Sequence, residues 1–174
     1  MCAHHPALEA NIQPLAAQLP PGLKTRCHGD YHLEQLLMVD NDFVIIDFEG
    51  EPARPLAERR AKASPLKDVA CLLRSLDYAA RTALANATAD RPQDRQGLIR
   101  HLAVWQSRST QAFWEGYSTA LASSPLAATV QNPRAKALVD LYGLQRALYE
   151  LRFELDNRPE WTTLPLEALL AWLD

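Results

Sequence analysis

His28-Gly29-Asp30-Tyr31-His32-Leu33-Glu34-Gln35, followed downstream by Ile45-Ile46-Asp47-Phe48-Glu49, is the stretch whose reading decides the fold. Between the two motifs lie short apolar runs, Leu36 to Val39 and Phe43 to Asp47, divided by Asp40-Asn41-Asp42. Asn and Asp tolerate the backbone angles of a tight reversal, so this pattern predicts a β-hairpin. Asp47 then ends the second strand and returns beside the loop that holds Asp30.

On the N-terminal side, Leu8, Ile12, Leu15 and Leu19 are spaced for one helix face over residues 4–19, which Pro20, Pro21 and Gly22 terminate. Lys24 to Cys27 reads as extended chain. On the C-terminal side, residues 48–64 carry two prolines, a glycine and seven charges, and read as a long surface loop of a kind that often carries function. Ser64-Pro65 then opens a helix with Val69, Leu72, Leu73 and Leu76 as its buried stripe. A polar loop is expected from Asn86 to Asp94. Leu98, Leu102, Trp105, Phe113, Tyr117 and Leu121 mark a long amphipathic helix whose aromatics read as core. Leu138, Leu141, Leu148 and Leu151 mark another, ending before Pro159. Pro165 opens a last short helix bearing Leu169, Leu170 and Leu173. The expected fold class is α+β and mostly helical, a single domain over residues 1–174.

Composition bounds the function classes. The chain is 48% apolar and 22% charged, ordinary values for a globular protein able to bury a core. A net charge of -3 gives no cationic excess for tracking phosphates, so nucleic acid is not expected, despite the basic cluster Arg54, Arg59, Arg60 and Lys62. Cys2, Cys27 and Cys71 are scattered and form no metal-ligand spacing or disulfide framework; Cys71 reads as part of a core helix face. No apolar run reaches the length of a membrane span and no signal-peptide order opens the chain, so the expectation is a cytoplasmic protein without a membrane partner.

Phosphoryl transfer to a hydroxyl asks for a carboxylate beside the attacking oxygen and oxygen ligands for a metal that bridges the ATP phosphates. An aspartate at 30, an amide five residues on at Gln35 and a second aspartate across the hairpin at Asp47 supply such parts. The sequence resembles the protein-kinase pattern of a His-x-Asp loop followed by Asp-Phe-Gly, and more closely the aminoglycoside-phosphotransferase and choline-kinase superfamily. That resemblance implies a C-terminal kinase-like lobe, with ATP as co-substrate, Asp30 as catalytic base and Mg²⁺ held by Asp47, with Gln35 where most relatives have Asn. His28 and His32 are expected to be structural, bonding the loop backbone. Asp68 is expected to support the catalytic loop in the same way.

HGDYHLEQ, the string from Asp47 through DFEGEPARPLAERRAKASPLKDVACLLRSLDYAA, and YELRFELDNRPEW together resemble bacterial maltokinases, which occur alone or fused to trehalose synthase. The likeness implies transfer of the ATP γ-phosphate to maltose or a similar sugar, giving maltose 1-phosphate. Arg146, Tyr149, Glu150 and Glu154, three and four residues apart, share a helix face and are candidates for the sugar contacts, or for ion pairs on a solvated helix side. Other acceptors, such as an aminoglycoside, and a non-catalytic interaction domain or remnant are the alternatives.

Some features depart from the pattern. Residues 1–26 hold no strand-rich region and no lysine suited to pairing with ATP phosphates. The sequence therefore reads as the C-terminal lobe alone, expected to be inactive without an N-lobe segment. Partner expectations are that segment, a trehalose synthase domain, or a second copy docking through an exposed apolar inter-lobe face. Glu34 stands where maltokinases have Gly and is expected to strain the loop, because Gly tolerates positive φ more readily. Phe153 replaces a frequent Tyr, removing one sugar contact.

Overall fold

The computed structural model describes Ala10, Ile12, Gln13 and residues 22–172. Most of the helix expected over residues 4–19, together with Cys2 and Leu173, lies outside the described residues.

Strand β1 (Leu36–Val39) pairs antiparallel with β2 (Asp42–Ile45), Leu36 facing Ile45 and Val39 facing Asp42, so the turn is Asp40-Asn41. Asp40 takes φ 54°, the left-handed conformation that short polar side chains tolerate. The second strand ends at Ile45 rather than Asp47, although Ile46 N–H still donates to the Gln35 carbonyl at 3.0 Å. Asp47 itself sits at φ 61°, outside any strand geometry, and this bend is what ends the pairing.

The expected long loop of 48–64 contains a helix, α1 (Leu56–Arg60), entered through Pro55. Proline has no N–H to lose and a φ suited to a helix start, so charge density here did not prevent a turn of helix. At the end of this segment Ala63 forms an antiparallel bridge with Thr25, which ties the extended chain before the catalytic-type loop to the start of the helical body.

Helix α2 (Leu66–Thr88) is the axis of that body, in contact with α3 (Arg95–Leu121), α5 (Ala135–Asn157) and α6 (Thr163–Ala171); α4 (Ala127–Val130) links α3 to α5. Leu66 and Val69 of α2 are 0% and 1% exposed and meet Val130, Ala135, Leu138 and Val139 in one cluster. Full burial of a leucine side chain stabilises by about 2 kcal/mol, so this cluster fixes the point where α2 begins. A second cluster joins Leu144, Ala147 and Leu151 of α5 to Leu169 of α6, with Ile12 and Trp172 against it.

Four expectations are corrected. α2 continues to Thr88 through part of the expected polar loop. On α5, Leu148 is exposed and Leu144 takes the core position, because α6 covers the 144/147/151 side. On α3, Phe113, Trp114, Tyr117 and Leu121 lie against the first cluster, whereas Trp105 is 43% exposed, on a turn of the helix outside that cluster. Leu170 of α6 is likewise exposed. No described helix is long and apolar enough to cross a membrane.

Candidate active site

Two glycines bring the site together. Gly29, at φ 88°, lies so close to Gly50, at φ 79°, that a Cβ on Gly29 would meet the Gly50 Cα at 3.2 Å. Both need the left-handed region that other residues adopt only with strain. Their contact lays the loop of Asp30 directly against the segment that leaves the hairpin, and delivers Glu51 beside Asp30.

The loop is pinned from below by Asp68, in the first turn of α2. Its two carboxylate oxygens accept the backbone N–H groups of His28, at 2.7 Å, and Gly29, at 2.9 Å. His28 is buried between Tyr31 and Phe48. The Asp30 N–H points at its Nδ1 (3.3 Å), so the ring hydrogen is on Nε2, which donates to the Ile46 carbonyl at 2.7 Å. One imidazole thus clips the Asp30 loop to the far end of the hairpin. His32 differs from expectation: it faces side chains rather than backbone, with Asp30 Oδ2 at 3.6 Å, Gln35 Nε2 at 3.5 Å and Glu34 at 3.9 Å.

Asp30 and Asp47 are linked through these groups. Contacts of 3.6 Å from Asp30 to His32, 3.5 Å from His32 to Gln35 and 3.2 Å from Gln35 Nε2 to Asp47 Oδ2 keep the two carboxyl groups within about 10 Å. Glu34 does not strain the loop. It lies in a 3₁₀ turn, Leu33–Gln35, that needs no positive φ, and its side chain is 90% exposed.

On the other side of Asp30 stands α5. Arg146 Nη1 donates to Asp30 Oδ1 at 2.8 Å and to Glu51 Oε2 at 2.9 Å, while its Nε lies 3.4 Å from Glu150. The Tyr149 hydroxyl donates to Glu51 Oε1 at 2.6 Å. Glu150 also lies 2.8 Å from Arg74 Nη2, too far off axis for a hydrogen bond. Glu154 is a turn further along, accepting from Tyr78 O–H at 2.9 Å and from Arg158 at 2.7 and 2.9 Å. The structure therefore brings Arg146, Tyr149 and Glu150 to Asp30 and leaves Glu154 in a separate cluster. Glu51 was not singled out in the sequence, and the only signal for it was its place next to Gly50.

These charges shift one another. Burial alone would raise the Asp30 pKa, but His32, 3.6 Å away, and the Arg146 guanidinium outweigh it and hold the carboxyl below its ordinary value. Arg146 is buried, which would lower its pKa, yet Cys71, Asp30, Glu150 and Glu51 hold it firmly protonated. Burial raises Glu150, with Arg74 and Arg146 opposing it only in part. Burial and the bond to Glu51 push Tyr149 up to about 12.

Asp30, Glu51, Arg146 and Glu150 form one end of an open groove of about 950 Å³ that runs past Tyr78 and Glu154 to Phe153, Arg158 and Trp161. The volume is at the upper end for small-molecule sites. Phe153 remains 42% exposed there as an apolar wall. Among the described residues no group of three or more His, Cys, Asp or Glu could hold a metal ion. Asp47 and Gln35 still fit Mg²⁺. Both carry hard oxygen donors, a turn of the Gln35 carboxamide would present its oxygen beside the Asp47 carboxylate, and Mg²⁺ commonly takes one or two protein ligands along with water and phosphate.

The chain is similar to several glucosamine kinases. The glucosamine kinase of Mycolicibacterium smegmatis (strain ATCC 700084 / mc(2)155) is 31% identical over 154 residues, 84% of this chain and 34% of the relative. That of Streptacidiphilus jiangxiensis is 30% identical over 95 residues, 55% of this chain and 20% of the relative. The chain thus spans about a third or less of the length of these curated relatives. Among solved structures, a glucosamine kinase (crystal form B) superposes with TM-score 0.76 at 24% identity, over 97% of this chain and 40% of that one. A glucosamine kinase in complex with glucosamine, ADP and inorganic phosphate gives 0.75 at 24% identity, over 97% and 38%. The chain shares the fold of that part of those proteins. No protein-family profile matches it.

Proposed function

We propose that this chain is the catalytic-loop and acceptor-binding part of an ATP-dependent sugar kinase. What carries the reading is one juxtaposition: Asp30, charged and oriented at the end of a wide groove, is connected through His32 to the Gln35–Asp47 pair. Asp30 accepts the proton of the acceptor hydroxyl as that oxygen attacks the γ-phosphate of ATP. Oδ2, which faces His32 at 3.6 Å, is the oxygen left for this task, since Oδ1 is taken by Arg146. Asp47 and Gln35 would hold Mg²⁺, which would supply positive charge to neutralise the phosphates. Asp68 and His28 keep the loop in register.

The acceptor that the relatives favour is glucosamine. Maltose is the second reading. The DFEGEPARPLAERRAKAS string favours it, and so does the groove's length beyond Arg146, which gives room for a second ring. Completion of the nucleotide site falls to an N-lobe, for which the exposed apolar side chains of the hairpin, Met38 and Phe43 foremost, offer a seat. The ATP requirement suits a cytoplasmic setting.

The test is sugar-dependent ADP release by the complete gene product over glucosamine, maltose and an aminoglycoside. Turnover with one of the two sugars is expected, lost about 100-fold or more in Asp30→Asn and in Asp47→Asn. No sugar-dependent turnover, or an Asp30→Asn variant as fast as the parent, overturns the proposal.

A further inference from the structure

Three carboxylates crowd one guanidinium. Arg146 divides a single nitrogen, Nη1, between Asp30 and Glu51, and turns its Nε toward Glu150. Glu51 is the most enclosed of the four, its side chain 8% exposed, and both its oxygens are engaged, one by Arg146 and one by Tyr149. Enclosing a carboxylate this far costs desolvation unless its partners are well placed. The Gly29–Gly50 contact is what forces it into that position.

An arginine paired with the base alone would direct its charge and its best donor at the oxygen that must accept a proton. Shared with Glu51, the guanidinium is drawn away from Asp30 and kept in a fixed plane. We infer that Glu51 is a positioning residue for phosphoryl transfer: locked by the Tyr149 hydroxyl, it holds Arg146 so that the guanidinium orients Asp30 without capturing it. The inference rests on the kinase reading above.

The groups that face Asp30 are His32 on its own loop, Cys71 on α2, Glu51 after the hairpin, and Arg146, Tyr149 and Glu150 on α5. Removing the Glu51 charge takes away a negative neighbour and commits Arg146 more fully to Asp30. Both changes favour the ionised base, so its protonation moves to lower pH.

The experiment compares Glu51→Gln with the parent in the complete gene product, following kcat, KM for ATP and the pH profile of kcat/KM. The expected result is a fall in kcat of about tenfold, an unchanged KM for ATP, and an acid limb displaced to lower pH. Tyr149→Phe leaves Glu51 in place but unlocks it, and gives a smaller change in the same direction. Glu58→Gln, at an exposed pair on α1, serves as the control without effect. If Asp30→Asn abolishes turnover while Glu51→Gln and Tyr149→Phe match the parent, the inference fails and the kinase reading stands. A loss of rate in Glu51→Gln with the acid limb unmoved reduces Glu51 to a structural part and also overturns it. Turnover that survives Asp30→Asn overturns both.

Discussion

Asp30 and Asp47 are the same kind of side chain in opposite circumstances. Asp30 is 13% exposed, gripped by Arg146, faced by His32, and carried on a loop that Asp68 pins from α2. Asp47 is exposed, meets the Gln35 carboxamide, and stands on a strained backbone at φ 61° beyond a hairpin whose apolar side chains face outward. The difference follows the chemistry proposed for each. A base that must be ready in one geometry gains from being organised in advance by the protein, whereas a metal ligand gains its partners only when cation and phosphates arrive.

The contrast can be broken at its most rigid point first. Asp68→Ala leaves two loop N–H groups without their charged acceptor and should destabilise the chain by about 3 kcal/mol, read from urea unfolding. A loss under about 1 kcal/mol would mean that the loop is held by something other than α2. At Asp47 the expected effect is smaller. Asp47→Gly should be about 1 kcal/mol more stable than Asp47→Ala, because only glycine takes a left-handed φ without cost. Both should lose Mg²⁺ binding in calorimetry, and Mg²⁺ binding retained in either would remove Asp47 from the metal site. The smallest effect belongs to the hairpin tip. Met38, 75% exposed, should accept serine with a change below about 0.5 kcal/mol in the same unfolding measurement; a larger loss would show the hairpin packed on something in solution.

The hairpin was legible in the sequence because its apolar runs are short, its turn is Asp-Asn, and both flanking motifs carry acids at fixed places. Val69, Leu72 and Leu76 were legible because one face of α2 is covered along its length. On α5 a list of leucines was a poor guide. The helix is covered on different sides by α2 and α6, so Leu144 is buried and Leu148 is not, and only the neighbours decide which. Helix α1 was hidden by its charges, which mark a surface but not a conformation. The helix-face spacing of Arg146, Tyr149 and Glu150 was visible, but not what they would touch. Their partner Glu51 is nearly a hundred residues away, and reaches them through a contact between two glycines that no periodicity encodes.

That glycine contact has a practical meaning for anyone reshaping the groove. With backbone against backbone at Gly29 and Gly50, the spacing between base and clamp has no side chain through which it could be tuned, and a methyl group on Gly29 would press on the Gly50 Cα at 3.2 Å. Variation aimed at new acceptors therefore belongs at the far rim, around Phe153 and Trp161, where walls can be exchanged while the joint beside Asp30 stays closed.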